Sequence, residues 1–138
     1  MNLVIAFCMH IATNAYGLPP QALPSLLLVE GGKTGAVSKN TNRTVDMGLM
    51  QINTIWLGEI SKISGLSKPE VEEKLTNDAC FNIFVSGYIL KSEIDAADGK
   101  FWDGVGHYHS RTPPIKSRYI SKVRKAWENI YGEPDFNP

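Results

Sequence analysis

The residue best placed for acid–base chemistry is Glu30, which closes the apolar run "LLLVEGG" and is followed at once by Gly31 and Gly32. Leu23, Leu26, Leu27 and Glu30 follow the i, i+3, i+4, i+7 spacing that lines one side of a helix, so the carboxyl group shares the side used for packing. A carboxylate drawn out of water is disfavoured; its pKa rises and it keeps its proton near neutrality. A proton held in this way is what general-acid cleavage of a glycosidic bond requires. The competing reading is a helix-end glutamate turned to solvent with the help of the glycines.

A second chemical stretch, "DMGLMQIN", runs from Asp46 to Asn53. Gly48 allows a positive φ or a close backbone approach. Gln51 and Asn53 offer amide donors and acceptors suited to sugar hydroxyls and acetamido groups, beside the apolar Met50 and Ile52. Each has a plainer reading: Gly48 as a turn, Gln51 as surface, Asn53 as the N-cap of a following helix.

The elements that must position these residues are mostly helical. Val4, Phe7, Cys8, Ile11 and Ala15 fall along one side of an amphipathic first helix stopped by Gly17. The same residues also admit a secretory-signal reading, with Leu3 to Met9 as the apolar region, although no basic segment precedes it. Pro19 and Pro20 lead into a second helix that ends near Glu30. The polar residues 34–46 read as an excursion with room for a short hairpin. Helical spacing resumes with Ile52, Ile55, Trp56, Ile60 and Ile63, and Ser67 with Glu70 forms a capping box. A long helix is expected over Asn77 to Asp98, and a last one over Lys116 to Tyr131 beyond Pro113 and Pro114. No strong period-two strand stands out. The fold class is mainly α.

The 138 residues, 43% of them hydrophobic, suit one domain spanning 1–138. Fourteen basic residues balance fourteen acidic ones, so net charge gives no ground for a nucleic-acid partner. The basic stretch Arg111 to Lys125 reads as a solvated helix face. A membrane span needs about 20 apolar residues, and His10, Thr13 and Asn14 interrupt the only run that approaches this, so no integral membrane segment is expected. His107 and His109 lack further His or Cys partners at ligand spacing, and neither a metal nor another cofactor is expected. Trp56, Trp102 and Trp127 read as packing residues first and sugar platforms second.

Taken in order, "LLLVEGG", Gly35 and Asn40, "DMGLMQINTIW", "CFNIFVSGYIL", "WDGVGHYHS" and "RYISKV" cover nearly the whole chain. This ordered set resembles the lysozyme-like lytic transglycosylases, in particular the small ones attached to conjugation, pilus and secretion machines. The resemblance implies a helical lysozyme-like domain with a substrate groove. It implies cleavage of peptidoglycan between N-acetylmuramic acid and N-acetylglucosamine, leaving 1,6-anhydromuramic ends. Glu30 would act first as acid and then as base. Asp46 would be a second carboxylate near the cleft, or else a cap on the turn. If it positioned a water, the enzyme would be a muramidase; a groove without turnover would make the chain a peptidoglycan-binding module.

By the same resemblance Tyr108 and Tyr119 border the cleft, although either suits a core tyrosine with a satisfied hydroxyl. One departure is visible: many relatives carry Ser where this chain has Gly31, which removes a hydroxyl that can orient the acid, so the positioning of Glu30 must come from elsewhere. Cys8 and Cys80 match positions bridged in exported relatives, while spacing alone is equally satisfied by two buried thiols. A bridge would accord with a periplasmic or exported domain whose signal was removed or lay upstream.

Overall fold

Helix α1 (Leu3–Tyr16) opens the computed structural model, which describes residues 2–134. Asn2 caps it by accepting from the Ile5 N–H at 2.8 Å, and Gly17 ends it in the left-handed conformation. Its buried side is Cys8, Met9, Ala12 and Thr13; of the expected Val4, Phe7, Cys8, Ile11 and Ala15 side only Cys8 is buried, Ile11 is half-buried, and Val4 and Phe7 are each 62% exposed. Apolar residues surround this helix at its start, so periodicity leaves the inward face open. Packing against a partner helix, sealed by a disulfide, decides it.

Helix α2 (Ala22–Glu30) carries Pro24 in its first turn, where a missing N–H costs nothing, and buries Leu23 and Leu26 completely. The chain then forms β1 (Val37–Lys39) and β2 (Val45–Met47), so a hairpin does occupy the region where one was expected. A third strand, β3 (Ile52–Asn53), joins antiparallel to β2, giving the order β1-β2-β3. Asp46 is paired with Ser38 on one side and Asn53 on the other.

A single 3-10 turn (Thr54–Trp56) leads into α3 (Leu57–Ser64). The helical spacing read from Ile52 to Ile63 holds only in part: Ile52 lies in a strand, Ile60 is buried, and Ile55 and Ile63 are 72% and 56% exposed. Helix α4 (Lys68–Asn77) begins at the Ser67–Glu70 capping box, as expected. The long helix expected over roughly Asn77 to Asp98 is present, and it is set off from α4 at Asp78. The Asp78 backbone is extended, and its carboxylate accepts from the Phe81 N–H at 3.0 Å to start α5 (Ala79–Ala96).

Helix α5 is the centre of the fold, with α1 and α6 (Phe101–His109) packed against it. Helix α7 (Pro113–Tyr131) closes the body on α2 and α6 and starts at the two prolines, earlier than Lys116, because first-turn N–H groups need no helical acceptor. Trp127 is 1% exposed and packs edge-on to Phe101 and tilted to Trp102, so these rings belong to the core. The basic stretch faces solvent, as expected: Arg111, Arg118, Lys122, Arg124 and Lys125 are exposed, and within it Arg111 pairs with Glu93, Lys116 with Asp103 and Arg124 with Glu128. Cys8 and Cys80 form a disulfide with a Cα separation of 5.4 Å, tying α1 to the start of α5. The fold is mainly α with one small antiparallel sheet. Among the described residues no helix is long and apolar enough to cross a membrane.

Candidate active site

Glu30 is the last residue of α2, and Gly31, at φ 62°, returns its N–H to the Leu27 carbonyl at 2.9 Å. The carboxyl group thus sits at the carbonyl end of a helix, where a negative charge is unwelcome. Gly32 performs a different task. A Cβ there would collide with the Gly48 and Leu49 carbonyl oxygens, so only glycine lets the chain press against the connection between β2 and β3. The two glycines therefore turn the backbone and seat it against the loop that carries the second chemical stretch.

That loop is fixed from below by Asn82, a fully buried amide on α5. Its Oδ1 accepts from the Met50 N–H at 2.8 Å, and its Nδ2 donates to the carbonyls of Met47 at 2.9 Å and Leu75 at 2.8 Å. Gly48, at φ 66°, leaves room for the Leu75 carbonyl and the Asn82 amide. Gln51 Nε2 donates back to the Gly48 carbonyl at 2.9 Å. Asn53 does two jobs at once. Its Oδ1 caps the 3-10 turn through the Ile55 N–H at 2.9 Å, while its Nδ2 donates to Asp46 Oδ1 at 3.0 Å and to Thr44 Oγ1 at 3.0 Å.

Opposite this loop, the Tyr119 hydroxyl on α7 donates to Glu30 Oε2 at 2.5 Å. It supplies the orienting hydroxyl that Gly31 does not. The His109 ring is stacked on Tyr119 at 4.6 Å between centroids. Tyr108 is engaged elsewhere: its hydroxyl donates to the Met50 carbonyl at 3.3 Å and shares a hydrogen bond with Ser86 at 2.9 Å. Tyrosine chemistry at the acid thus belongs to Tyr119, and Tyr108 braces the loop from the groove side.

These groups meet in a groove of about 620 Å³. One side is formed by the sheet and its turns, with Asp46, Gln51, Asn53 and Trp56; the other by α5 and the end of α6, with Glu93, Tyr108, His109 and Arg111; Glu30 opens into it. Two residues expected to contact substrate lie behind this surface. Gly48 is buried against α5 and the end of α4, and the Met50 side chain is fully buried, because the loop turns its backbone toward Asn82. Tyr119, 4% exposed, reaches the site through Glu30. The sequence reading missed Asn82, Ser86, Glu93 and Arg111; a lone amide in the apolar run "CFNIF" was the available signal for the first of them.

Burial pushes the Glu30 carboxyl up to about 7, and repulsion from Asp46 adds to the rise, while the Tyr119 hydrogen bond and the Lys122 charge oppose it. Burial likewise raises the Tyr119 and Tyr108 phenols, which remain neutral donors, and holds His109 below the usual histidine range. The arrangement offers a proton that is available near neutrality, a hydroxyl holding its carboxyl group, and a second acid, Asp46, lining the same groove. Among the described residues no group of three His, Cys, Asp or Glu side chains is gathered to hold a metal ion.

No family model matches the chain. It is 31% identical to the invasion protein IagB of Salmonella typhimurium over 134 residues, covering 94% of this chain and 78% of IagB. The IagB of Salmonella typhi gives the same identity and coverage. Protein IpgF of Shigella flexneri is 30% identical over 137 residues, covering 96% of this chain and 86% of IpgF. At this identity over nearly the full length, the chain belongs to the family of IagB and IpgF.

Proposed function

We propose that this protein is a peptidoglycan lytic transglycosylase that cuts the β-1,4 bond between N-acetylmuramic acid and N-acetylglucosamine. The observation that carries the reading is Glu30: a carboxyl group titrating at about 7, held by Tyr119, at the edge of a groove able to take a glycan strand. In the first step the Glu30 proton passes to the bridging oxygen as the C1–O bond breaks and positive charge develops at C1. In the second, the Glu30 carboxylate takes the proton of the muramic C6 hydroxyl as that oxygen bonds to C1. The acid is restored, no water is consumed, and the product ends in a 1,6-anhydro ring. A titration point close to neutrality suits a group that must give a proton and then recover one.

Asp46 supports a second reading. It lines the groove, is held by Asn53, and its charge is felt at Glu30. A water positioned by this carboxylate would open the bond hydrolytically in the two-carboxylate manner of other glycosidases. Digestion of purified sacculi followed by mass spectrometry separates the readings. Anhydro ends support the transglycosylase and reducing ends the muramidase. No release by a folded protein would refute both in favour of a binding module. Glu30→Gln is expected to abolish release without unfolding the domain, and Asp46→Asn to slow it less.

The likeness to an invasion protein supports a setting in which cell-wall cleavage is local, opening a path for a secretion, conjugation or pilus apparatus. The Cys8–Cys80 disulfide supports a periplasmic or exported location, since such bonds persist in oxidising compartments.

A further inference from the structure

Among the described residues that line the groove, Arg111 is the only lysine or arginine; the other formal charges there are the carboxyl groups of Glu30, Asp46 and Glu93. Arg111 lies between α6 and α7, and its Nη2 donates to Glu93 Oε1 at 2.8 Å. The two partners are unequally placed. The Glu93 side chain is 10% exposed, whereas that of Arg111 is 64% exposed. The carboxylate is thus an anchor set in α5, and the guanidinium is the part presented to the groove. A guanidinium has five N–H donors in a rigid fork, so the one contact to Glu93 tethers it and leaves donors for a second planar anion.

Glu93 itself lines the groove, so the ion pair brings the cation to the groove wall, and the 64% exposure of the Arg111 side chain leaves the guanidinium open to a second partner. The acids lining the groove are Glu30, which is held protonated near neutrality, Asp46 and Glu93, so among the described residues an anionic ligand entering it meets a cation only at Arg111. Glycan strands of the proposed substrate alternate a neutral sugar with one that bears a lactyl group and stem peptide. Only the second carries carboxylates. Sliding the strand by one sugar would therefore set a neutral N-acetylglucosamine beside the arginine.

We propose that Arg111, pinned by Glu93, binds a carboxylate of the muramyl unit or its stem peptide and so fixes the register in which the strand lies over Glu30. This inference rests on the peptidoglycan reading above and makes Arg111 a specificity-determining residue. It places no proton at Arg111.

The test is binding by the full chain carrying Glu30→Gln, which removes turnover. Three ligands of matched length are compared by calorimetry: glycan strands bearing stem peptides, strands stripped of peptide by an amidase and so ending in lactyl carboxylates, and neutral chitooligosaccharides. At least one carboxylate ligand is expected to bind roughly 10-fold more tightly than the neutral one, the size of a hydrogen bond to a charged group. Adding Arg111→Gln should remove that preference while leaving chitooligosaccharide affinity unchanged. Because Arg111→Gln alone strands a buried carboxylate, the Glu93→Gln/Arg111→Gln pair is measured beside it, and it too should lose the preference. A preference for peptide-bearing strands alone identifies stem carboxylates as the ligand, and one kept after stripping identifies the lactyl group. Equal affinity for all three ligands, or a preference that survives in the folded double variant, overturns the inference while leaving the proposed function standing. Failure of every ligand to bind overturns both.

Discussion

Replacing Glu30 with Gln tests the central physical claim without any substrate. Burial pushes the carboxyl group up to about 7 in the fold from its ordinary 4.5. The folded state therefore holds more protons than the unfolded state between these values, and stability falls with pH across that interval. The sign is that of a raised pKa: the contribution is full below 4.5 and is lost as pH passes through 7. At ~1.4 kcal/mol per unit the wild-type protein gives up at most about 3 kcal/mol by pH 8, or roughly 10 °C in Tm. The Gln variant keeps the shape of the side chain, can still accept from Tyr119 and does not titrate. Chemical denaturation of both proteins from pH 4 to pH 8 measures the difference, because ionisations common to both cancel. The Gln variant should be close to wild type at pH 4 and clearly the more stable at pH 8. Parallel profiles, or a wild-type protein that gains on the variant as pH rises, would refute the claim that Glu30 is held in a site hostile to its charge.

Three other outcomes follow from the same geometry. Tyr119→Phe removes the hydrogen bond that favours the Glu30 carboxylate, so Glu30 should titrate above 7, by about 1 unit, and the alkaline limb of muropeptide release should move up with it. Asn82→Ala strands the Met50 N–H and the Met47 and Leu75 carbonyls; urea denaturation should show a loss of about 3 kcal/mol, with turnover falling as the loop loosens. Paired Cys8→Ser and Cys80→Ser substitution should cost about 2–4 kcal/mol in the same assay, and a reductant should destabilise only the parent protein.

How much of this could be read from the sequence depends on how local each cause is. The Leu23–Leu26–Leu27 spacing put Glu30 on the packing side of α2, and the Ser67–Glu70 box marked the start of α4, because both are decided within a turn or two of helix. The hairpin region was legible from its polar, turn-rich composition. The inward face of α1 was not, since apolar residues surround that helix at its start and only its contact with α5 chooses among them. The long helix was legible from its apolar spacing, and α5 (Ala79–Ala96) begins and ends within two residues of the expected bounds. The site shows the same division. Asp46, Gln51 and Asn53 came from one octapeptide, and strand pairing then brought Asp46 and Asn53 together. The hydroxyl that orients Glu30 lies 89 residues along the chain, and Arg111 is 18 residues from the carboxylate that pins it. Neither pairing has a local signature, and helix packing alone produces both.

The disulfide has a consequence beyond stability. Glu30, Asp46 and the exposed bend at 40–43 all lie inside the stretch whose ends are joined at Cys8 and Cys80. A protease that clips this bend, the kind of exposed tip where nicking concentrates, opens a ring without releasing a fragment. The two pieces stay covalently attached, with Glu30 on one and Asp46 on the other. A clipped molecule would run as a single band on a non-reducing gel and divide into two only when thiol is added.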